Sequence, residues 1–211
     1  MQIVIPLFDR FTALDAVGPY EVLSRLPDTE VTFVAAERGP VRNDSRSLAL
    51  VADRSLAEVT EADVLVVPGG PGTRAMLDDP ALIEWVRRLH TTTQWTTSVC
   101  TGALVLGAAG VLQGLRATTH WLQLERLAEF GAVPTGERVV IEGKVMTAAG
   151  VSSGIDMALS LAARVAGDDV AQAIQLGIEY DPQPPFNSGS TATAPPEIVS
   201  LVRDLVAGAS R

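Results

Sequence analysis

The stretch QWTTSVCTGALVLGAAG, residues 94–110, decides the fold. A run rich in β-branched residues, Thr96 to Val99, is typical of a buried strand, and the small apolar residues after Cys100 are typical of a helix. The only cysteine of the chain therefore lies where a strand gives way to a helix. In open α/β folds that position is the carboxyl edge of the sheet, where ligand sites form. The sequence predicts that Cys100 lies in such a site.

The residues around Cys100 favour a reactive thiol. Thr101, Gly102 and Ala103 are small enough for the sharp turn of a nucleophile elbow, which exposes its side chain above the sheet. The helix that follows supplies free N–H groups and the positive end of its dipole, so we expect the pKa of the Cys100 thiol to be lowered. The alternative is a buried, inert cysteine that fits a tight turn because it is small.

Other short apolar runs predict the rest of the sheet. Strands that are apolar almost throughout are buried on both faces, which indicates a parallel sheet covered by helices. These runs are IVIPLF (3–8), VTFVAA (31–36) and VLVVPGG (64–70). The segment RVVIEGKVMTAA (138–149) indicates a hairpin and hence a mixed edge. The predicted class is α/β, a flavodoxin-like, doubly wound, mostly parallel sheet with helices on both faces and a cysteine nucleophile elbow.

Helical patterns lie between and after these runs, and we predict one domain over residues 1–211. The Pro-rich segment YDPQPPFNSGSTATAPP (180–196) favours an extended stretch that wraps the surface before the last helix. The candidate helices are Asp15–Leu26, Pro80–Leu89, Thr101–Leu112, Trp121–Phe130, Ser152–Ala166, Asp168–Ile178 and Pro196–Ala207.

Composition argues against several classes of protein. The chain has 16 Lys and Arg against 25 Asp and Glu, and its net charge of -9 disfavours nucleic acid as a partner. The longest apolar run, residues 103–112, is shorter than the roughly 20 residues that span a bilayer. A single cysteine allows no internal disulfide, and MQIVIPLF does not resemble an export signal. We therefore expect a cytoplasmic protein with no membrane partner.

A pair of glycines follows the third apolar run, in DVLVVPGGPG (63–72). Glycines after a strand let the backbone approach a ligand and present N–H groups to it. Gly70 and the N–H of Thr101 could thus form an anion-stabilising pair, although a simple tight turn is the alternative. The phosphate-binding patterns GxxxxGK[ST] and GxGxxG are absent from this segment.

Three titratable residues complete the set of candidates. Asp15, in LDAVGPYEVL (14–23), follows a strand and is expected at the same edge of the sheet, or else serves as an N-cap or first-turn carboxylate. His120, in RATTHW (116–121), follows another short strand pattern, and a satisfied polar histidine is its alternative. His90 ends a charged helix and is expected on the surface. These residues have no metal-ligand spacing, so we predict no metal.

Taken together, the segments resemble the ThiJ/PfpI superfamily on the class I glutamine amidotransferase-like fold, and within it the isocyanide hydratase (isonitrile hydratase) branch most strongly. They occur in family order over nearly the whole chain. The matching segments are LDAVGPYEVL, VVPGGPG, TSVCTGALVLGAAGVLQG, RATTHW, GVSSGIDMALSLAA and EYDPQPPFNSGS.

The resemblance implies a role for each candidate residue. Cys100 would be the nucleophile and Asp15 the adjacent acid. The N–H of Thr101 would join Gly70 in an oxyanion site, and His120 would neighbour the thiol. A fifth residue, Val151, belongs to a loop expected to pack beside the cysteine.

The resemblance also implies an activity. Proteolytic and deglycase-like members carry a histidine after the cysteine and usually a glutamate on the first loop, where this chain has Thr101 and Asp15. This pattern points to hydration of isocyanides to N-substituted formamides through a thioimidate on Cys100, without a cofactor, in a homodimer.

Two other functions remain open at this stage. Regulators of the AraC type carry a similar domain that senses a ligand, but they continue into a basic helix-turn-helix region, whereas this chain ends at Arg211 after one helix. A stress or thiol-redox protein, in which Cys100 is simply oxidised, is the other alternative.

Overall fold

A seven-stranded sheet forms the centre of the molecule in the computed structural model, which describes residues 1–209. Two further pairs of short strands lie outside this sheet. The strands are β1 (Gln2–Pro6), β2 (Glu30–Ala35), β3 (Gly39–Arg42), β4 (Ala49–Ala52), β5 (Arg54–Ser55), β6 (Val64–Val67), β7 (Trp95–Val99), β8 (Arg116–Ala117), β9 (Val133–Pro134), β10 (Val139–Glu142) and β11 (Val145–Ala148).

The strand order of the central sheet is β10-β11-β7-β6-β1-β2-β5. The five longer parallel strands, taken in chain order, therefore lie in the sequence 2-1-3-4-5, which is the flavodoxin-like arrangement. The predicted fold class is confirmed. β10 pairs antiparallel with β11, which confirms the hairpin and the mixed edge.

The helices agree with the sequence patterns to within a few residues at most ends. They are α1 (Ala13–Leu23), α2 (Thr73–Leu77), α3 (Pro80–Thr92), α4 (Gly102–Ala108), α5 (Ser153–Ala166), α6 (Asp168–Gly177) and α7 (Pro196–Ala209), with 3₁₀ helices at Leu56–Glu58 and Trp121–Phe130.

The sheet separates two cores because alternate side chains of its strands point to opposite faces. On β1, Ile3 and Ile5 pack in a cluster with residues of α1 and α5, while Val4 packs in a second cluster with residues of α3 and α4. All four residues of β6 are buried. Burying one Val, Leu or Ile side chain contributes about 1.5–3 kcal/mol, so the near-continuous apolar runs stabilise a sheet covered on both faces.

The regular structure differs from the sequence predictions at the following points. The helix predicted over Thr101–Leu112 ends at Ala108, because the chain turns at Gly110, whose φ is +78°. The segment Trp121–Phe130 is helical but of the 3₁₀ type. The hairpin of β3 and β4 was not predicted, because its alternating and partly exposed strands lack a continuous apolar run.

The chain divides into two compact units, Met1–Ile178 and Glu179–Arg211. The longer unit contains the sheet and every candidate site residue. The shorter one contains the Pro-rich segment and α7, which begins where the sequence indicated. One domain over residues 1–211 stays a prediction, and the last two residues of that span lie outside the described part. Within residues 1–209, no helix is both long and apolar enough for a membrane span.

Candidate active site

The carboxyl ends of β1, β6 and β7 bring three candidate segments together. Asp15 lies in the first turn of α1, two residues after the helix begins at Ala13. Gly69 and Gly70 follow β6, and Cys100 follows β7 directly. Because these neighbouring strands are parallel, the residues after them meet at one edge of the sheet.

Cys100 occupies a strained turn. Its φ is +55°, a left-handed conformation that costs a non-glycine residue about 1–3 kcal/mol unless neighbouring contacts impose it. Here the Cys100 N–H donates to the carbonyls of Ala148 and Ala149, at 3.1 and 2.8 Å. The Thr119 hydroxyl donates to the Cys100 carbonyl at 2.7 Å. These contacts hold the sharp turn that the sequence predicted, but Cys100 is only 5% exposed, so its side chain is buried and does not stand exposed above the sheet as expected.

Asp15 is fully buried, and it is not a cap. The N-cap of α1 is Thr12, whereas Oδ2 of Asp15 accepts a hydrogen bond of 3.0 Å from the N–H of Gly69 on the next loop. The Cys100 thiol lies beside this carboxyl group, close enough for each group to shift the pKa of the other. Its second oxygen, Oδ1, has no N–H or O–H donor among the described residues. The carboxyl group therefore serves the site rather than its own helix.

Burial controls the protonation of this pair. It raises the pKa of Asp15 to about 7, against the lowering effects of the Gly69 N–H and the thiol. The pKa of Cys100 is also raised, first by burial and then by the negative charge of Asp15. The lowered thiol pKa that we expected from the helix terminus is therefore wrong, because loss of water outweighs the lowering effect of Thr101. At neutral pH the pair holds at least one proton.

Thr101 connects the thiol to the loop after β6. Its backbone N–H and its hydroxyl both lie close enough to the Cys100 sulfur to lower the pKa of the thiol. The Gly70 N–H donates to Thr101 Oγ1 at 2.9 Å. The N–H groups of Gly70 and Thr101 were predicted to face one anion together. In the structure they have different partners, because the Gly70 N–H donates to the Thr101 side chain.

Thr73 is a site neighbour that the sequence did not reveal. It is 3% exposed, and its hydroxyl lies 2.8 Å from Thr101 Oγ1. The residue follows GGPG and begins the short helix α2. No sequence pattern distinguishes it from an ordinary helix-starting threonine, so only the folded arrangement identifies it.

Gly69 must be glycine because three groups of the site lie against it. A Cβ at this position would be 2.5 Å from both the backbone nitrogen and Oγ1 of Thr101, and 3.0 Å from Oδ2 of Asp15. Real Cβ atoms do not approach other atoms at 2.5 Å. The loop after β6 therefore packs against both neighbours through main-chain atoms.

His120 and Val151 lie on segments next to Cys100. The His120 ring packs over Gly150, where a Cβ would lie 3.3 Å from Cδ2, and burial lowers the pKa of the ring. Its Nδ1 accepts a 3.4 Å hydrogen bond from the Leu122 N–H, so part of its polar capacity is used by its own helix. Val151 is half-buried against the core cluster that contains Cys100. Their roles at the thiol stay predictions.

His90 lies near the amino end of β7, away from Cys100, and is not the surface residue that we expected. It is half-buried, and its Nδ1 lies 2.8 Å from the hydroxyl of Thr96. Burial, followed by the charge of Lys144, lowers its pKa. As for metals, no cluster of three or more His, Cys, Asp or Glu residues suited to one occurs in the described range.

Comparison with known proteins agrees with this fold. The model of the DJ-1/PfpI family matches residues 1–164, and a THiJ/PfpI family protein from Pseudomonas syringae superposes with a TM-score of 0.95. The chain belongs to the DJ-1/PfpI family. The P. syringae structure is 38% identical, and the match covers 98% of this chain and 86% of that one.

Two relatives indicate the range of functions in the DJ-1/PfpI family. Isonitrile hydratase from Pseudomonas putida is 44% identical over 203 residues, which is 96% of this chain and 89% of that protein. The HTH-type transcriptional regulator CdhR from Pseudomonas aeruginosa is 32% identical over 176 residues, 80% of this chain. The chain spans about half of the regulator's length, 51%. The family resemblance inferred from the motifs is confirmed.

Proposed function

We propose that this DJ-1/PfpI protein hydrates isocyanides to N-substituted formamides through a covalent thioimidate on Cys100. The observation that carries the proposal is the buried pair of Asp15 and Cys100, in which burial raises the pKa of a carboxyl group to about 7 directly beside the thiol. The similarity to the P. putida isonitrile hydratase supports the choice of substrate.

In the first half of the reaction the terminal carbon of R–NC receives both the sulfur and the proton of the thiol. As Cys100 Sγ attacks that carbon, the carboxylate of Asp15 takes the thiol proton and then delivers it to the same carbon. The product is R–N=CH–S–Cys100, with Asp15 again a carboxylate. This sequence needs no preformed thiolate, which agrees with the raised pKa of Cys100.

In the second half, water adds to the imidate carbon. Asp15 accepts a proton from the attacking water and passes it to the imidate nitrogen, giving R–NH–CH(OH)–S–Cys100. Collapse of this adduct breaks the C–S bond, moves the hydroxyl proton through Asp15 to the sulfur and releases R–NH–CHO. One carboxyl group serves both halves because its pKa lies close to neutrality.

Thr101 and Gly70 assist through the sulfur in this proposal. The Thr101 N–H and hydroxyl stabilise the negative charge that develops on Sγ when the adduct collapses. Gly70 contributes by donating its N–H to the Thr101 hydroxyl. His120 and Val151 would line the space available to the R group.

The test is incubation of the purified protein with a simple alkyl or aryl isocyanide, with formamide followed by mass spectrometry. We expect catalytic turnover by the wild type, and neither formamide nor an adduct on Cys100 when Asp15 is replaced by asparagine, because the carboxyl group transfers a proton in both halves. Absence of formamide with the wild-type protein would overturn the proposal.

The match to the regulator CdhR favours a second candidate, a domain that binds a small molecule without consuming it. The same incubation separates the two functions. A sensing domain would show ligand-dependent thermal stabilisation with no formamide, and replacing Cys100 would leave that stabilisation in place.

We also propose a cytoplasmic homodimer. In the longer unit, the large apolar side chains of Leu14, Leu48 and Val51 are 40%, 44% and 57% exposed, which is typical of surface that a partner copy covers. Light scattering at low micromolar concentration should return twice the mass of one chain. A monomer mass would contradict the dimer.

A further inference from the structure

The hydroxyl of Thr101 has more possible hydrogen-bond partners than it can bind at one time. A threonine oxygen carries one proton and two lone pairs. The Gly70 N–H donates to this oxygen at 2.9 Å, which occupies one lone pair. Three groups remain in reach: the Cys100 sulfur, the Gly70 carbonyl at 3.3 Å and the Thr73 hydroxyl at 2.8 Å. Where the single proton of Thr101 points depends on which role Thr73 takes.

We propose that Thr73 is a positioning residue that donates its hydroxyl proton to Thr101 Oγ1 and thereby directs the Thr101 proton to the sulfur of Cys100. With both lone pairs of Thr101 filled by Gly70 and Thr73, its own proton is the only hydrogen-bonding capacity left.

The competing acceptor is the weaker one. The Gly70 carbonyl already accepts the backbone N–H of Thr73 at 3.0 Å, and its distance of 3.3 Å from Thr101 Oγ1 is long for a hydroxyl hydrogen bond. Thr73 itself is 3% exposed, so water does not compete for its hydroxyl. For its side chain, Thr101 is the hydrogen-bond partner that the described residues provide.

Thr73 would thus alter the pKa of the Cys100 thiol through Thr101, without touching the sulfur itself. A hydroxyl proton aimed at sulfur stabilises the thiolate and the departing sulfur, whereas a hydroxyl turned toward Thr73 would present lone pairs to a developing negative charge. This inference concerns the thiol and not the substrate, so it stands or falls separately from isocyanide hydration.

The experiment compares Thr73→Val with Thr73→Ser in the full-length protein. The rate of Cys100 alkylation by iodoacetamide, measured against pH, reports the thiolate fraction of the coupled pair. Because hydrogen bonds to charged groups are worth more than neutral ones, we expect Thr73→Val to lower the alkylation rate about tenfold at a given pH. Thr73→Ser keeps the hydroxyl and should restore the rate.

A matched control lies at the amino end of β7, the strand whose carboxyl end leads into Cys100. Thr93 is 5% exposed, and its hydroxyl lies 2.7 Å from that of Thr96, so Thr93→Val breaks a similar buried pair without touching Cys100. We expect its alkylation profile to be that of the wild type. A comparable slowing in Thr93→Val would mean that the Thr73 effect is general loosening, which would overturn the assignment.

A double substitution tests the route through Thr101. In the background of Thr101→Val, where no hydroxyl can be directed at the sulfur, adding Thr73→Val should change the alkylation rate no further. An additional tenfold loss in that background, or a Thr73→Val protein that alkylates like the wild type, would sink the proposal. In turnover assays the effect should fall on kcat, with KM nearly unchanged.

Discussion

The two ends of β7 use similar residues for different purposes. At its amino end, Thr93, Thr96 and His90 form a closed set of hydrogen bonds, with the two hydroxyls 2.7 Å apart and His90 Nδ1 2.8 Å from Thr96. Lys144 adds hydrogen bonds to the carbonyls of His90 and, at 3.0 Å, of Thr93, where α3 ends. This end satisfies its polar groups and caps a helix.

The carboxyl end of β7, in contrast, carries features that lower the stability of the fold. It holds Cys100 at a positive φ and buries the Asp15 carboxyl, one oxygen of which has no hydrogen-bond donor among residues 1–209. Each of these features costs about 1–3 kcal/mol in isolation. The reactive groups thus lie at the end of β7 where a polar atom is left unsatisfied. The opposite end, where the polar groups are hydrogen-bonded to one another, supplies rigidity.

Replacing the thiol should give the largest contrast between the two ends. Cys100→Ser keeps the size of the side chain but removes the strong nucleophile, so we expect isocyanide turnover to fall by at least about 10³-fold. Formamide release measures the loss, and circular dichroism should show an unchanged fold. Substantial turnover by the serine protein would remove covalent catalysis.

The carboxyl end should also make stability depend on pH. The pKa of Asp15 is raised from 3.8 to about 7, so the folded state binds this proton more tightly than the unfolded state. Its stabilising effect is therefore complete below pH 3.8 and is lost as the pH rises through about 7. Relative to Asp15→Asn, the free energy of unfolding should fall by up to about 4 kcal/mol across that interval.

Urea unfolding of both proteins at several pH values measures this difference. A pH-independent difference between wild type and Asp15→Asn would show that the carboxyl group is not protonated by burial. Thr93→Val, which alters the amino end without removing a charged group, provides the control, because its difference from the wild type should stay constant over the same interval.

Two substitutions of Asp15 separate proton transfer from local structure. Asparagine keeps the size but has no transferable proton, so turnover should drop about 10²-fold or more. Glutamate restores an acid but displaces it by one methylene, so intermediate activity is expected. If the side chain served only to accept the hydrogen bond of the Gly69 N–H, the ranking would reverse, since asparagine keeps an acceptor oxygen at the same distance whereas glutamate displaces it. An asparagine protein faster than the glutamate protein would exclude acid–base catalysis.

The smallest effect belongs to the amino end. Lys144→Met removes the ammonium hydrogen bonds to the last carbonyls of α3, which should cost about 1 kcal/mol of stability. Chemical denaturation measures that cost, and turnover should equal that of the wild type. Loss of activity without loss of stability would show that the two ends are coupled.

The sequence predicted the parts of this molecule that depend on local patterns. Continuous apolar runs identified the buried parallel strands, and the strand-to-helix transition at Cys100 identified the elbow. Since ends of neighbouring parallel strands share an edge, the sequence also predicted that Asp15 and Cys100 would be close.

What the sequence did not predict depends on burial and on contacts between distant segments. The pKa of Cys100 follows from the loss of water around it, which no local pattern measures. The link from Thr73 to Thr101 spans 28 positions and exists only once the loop after β6 has packed against α4. His90 was misplaced for the same reason, because Thr96 and Lys144 cover it only in the folded chain.

The close approach at Gly69 has a consequence for anyone who wants to change which molecules this protein accepts. A side chain there would collide with Thr101 and crowd Asp15 at the same time. This part of the site is therefore lined by main-chain atoms, which substitution cannot change. A combinatorial library that randomises position 69 would consist almost entirely of inactive clones. Diversity is better placed at Val151, which is half-buried on a neighbouring loop, where a change of volume leaves the proton-handling pair intact.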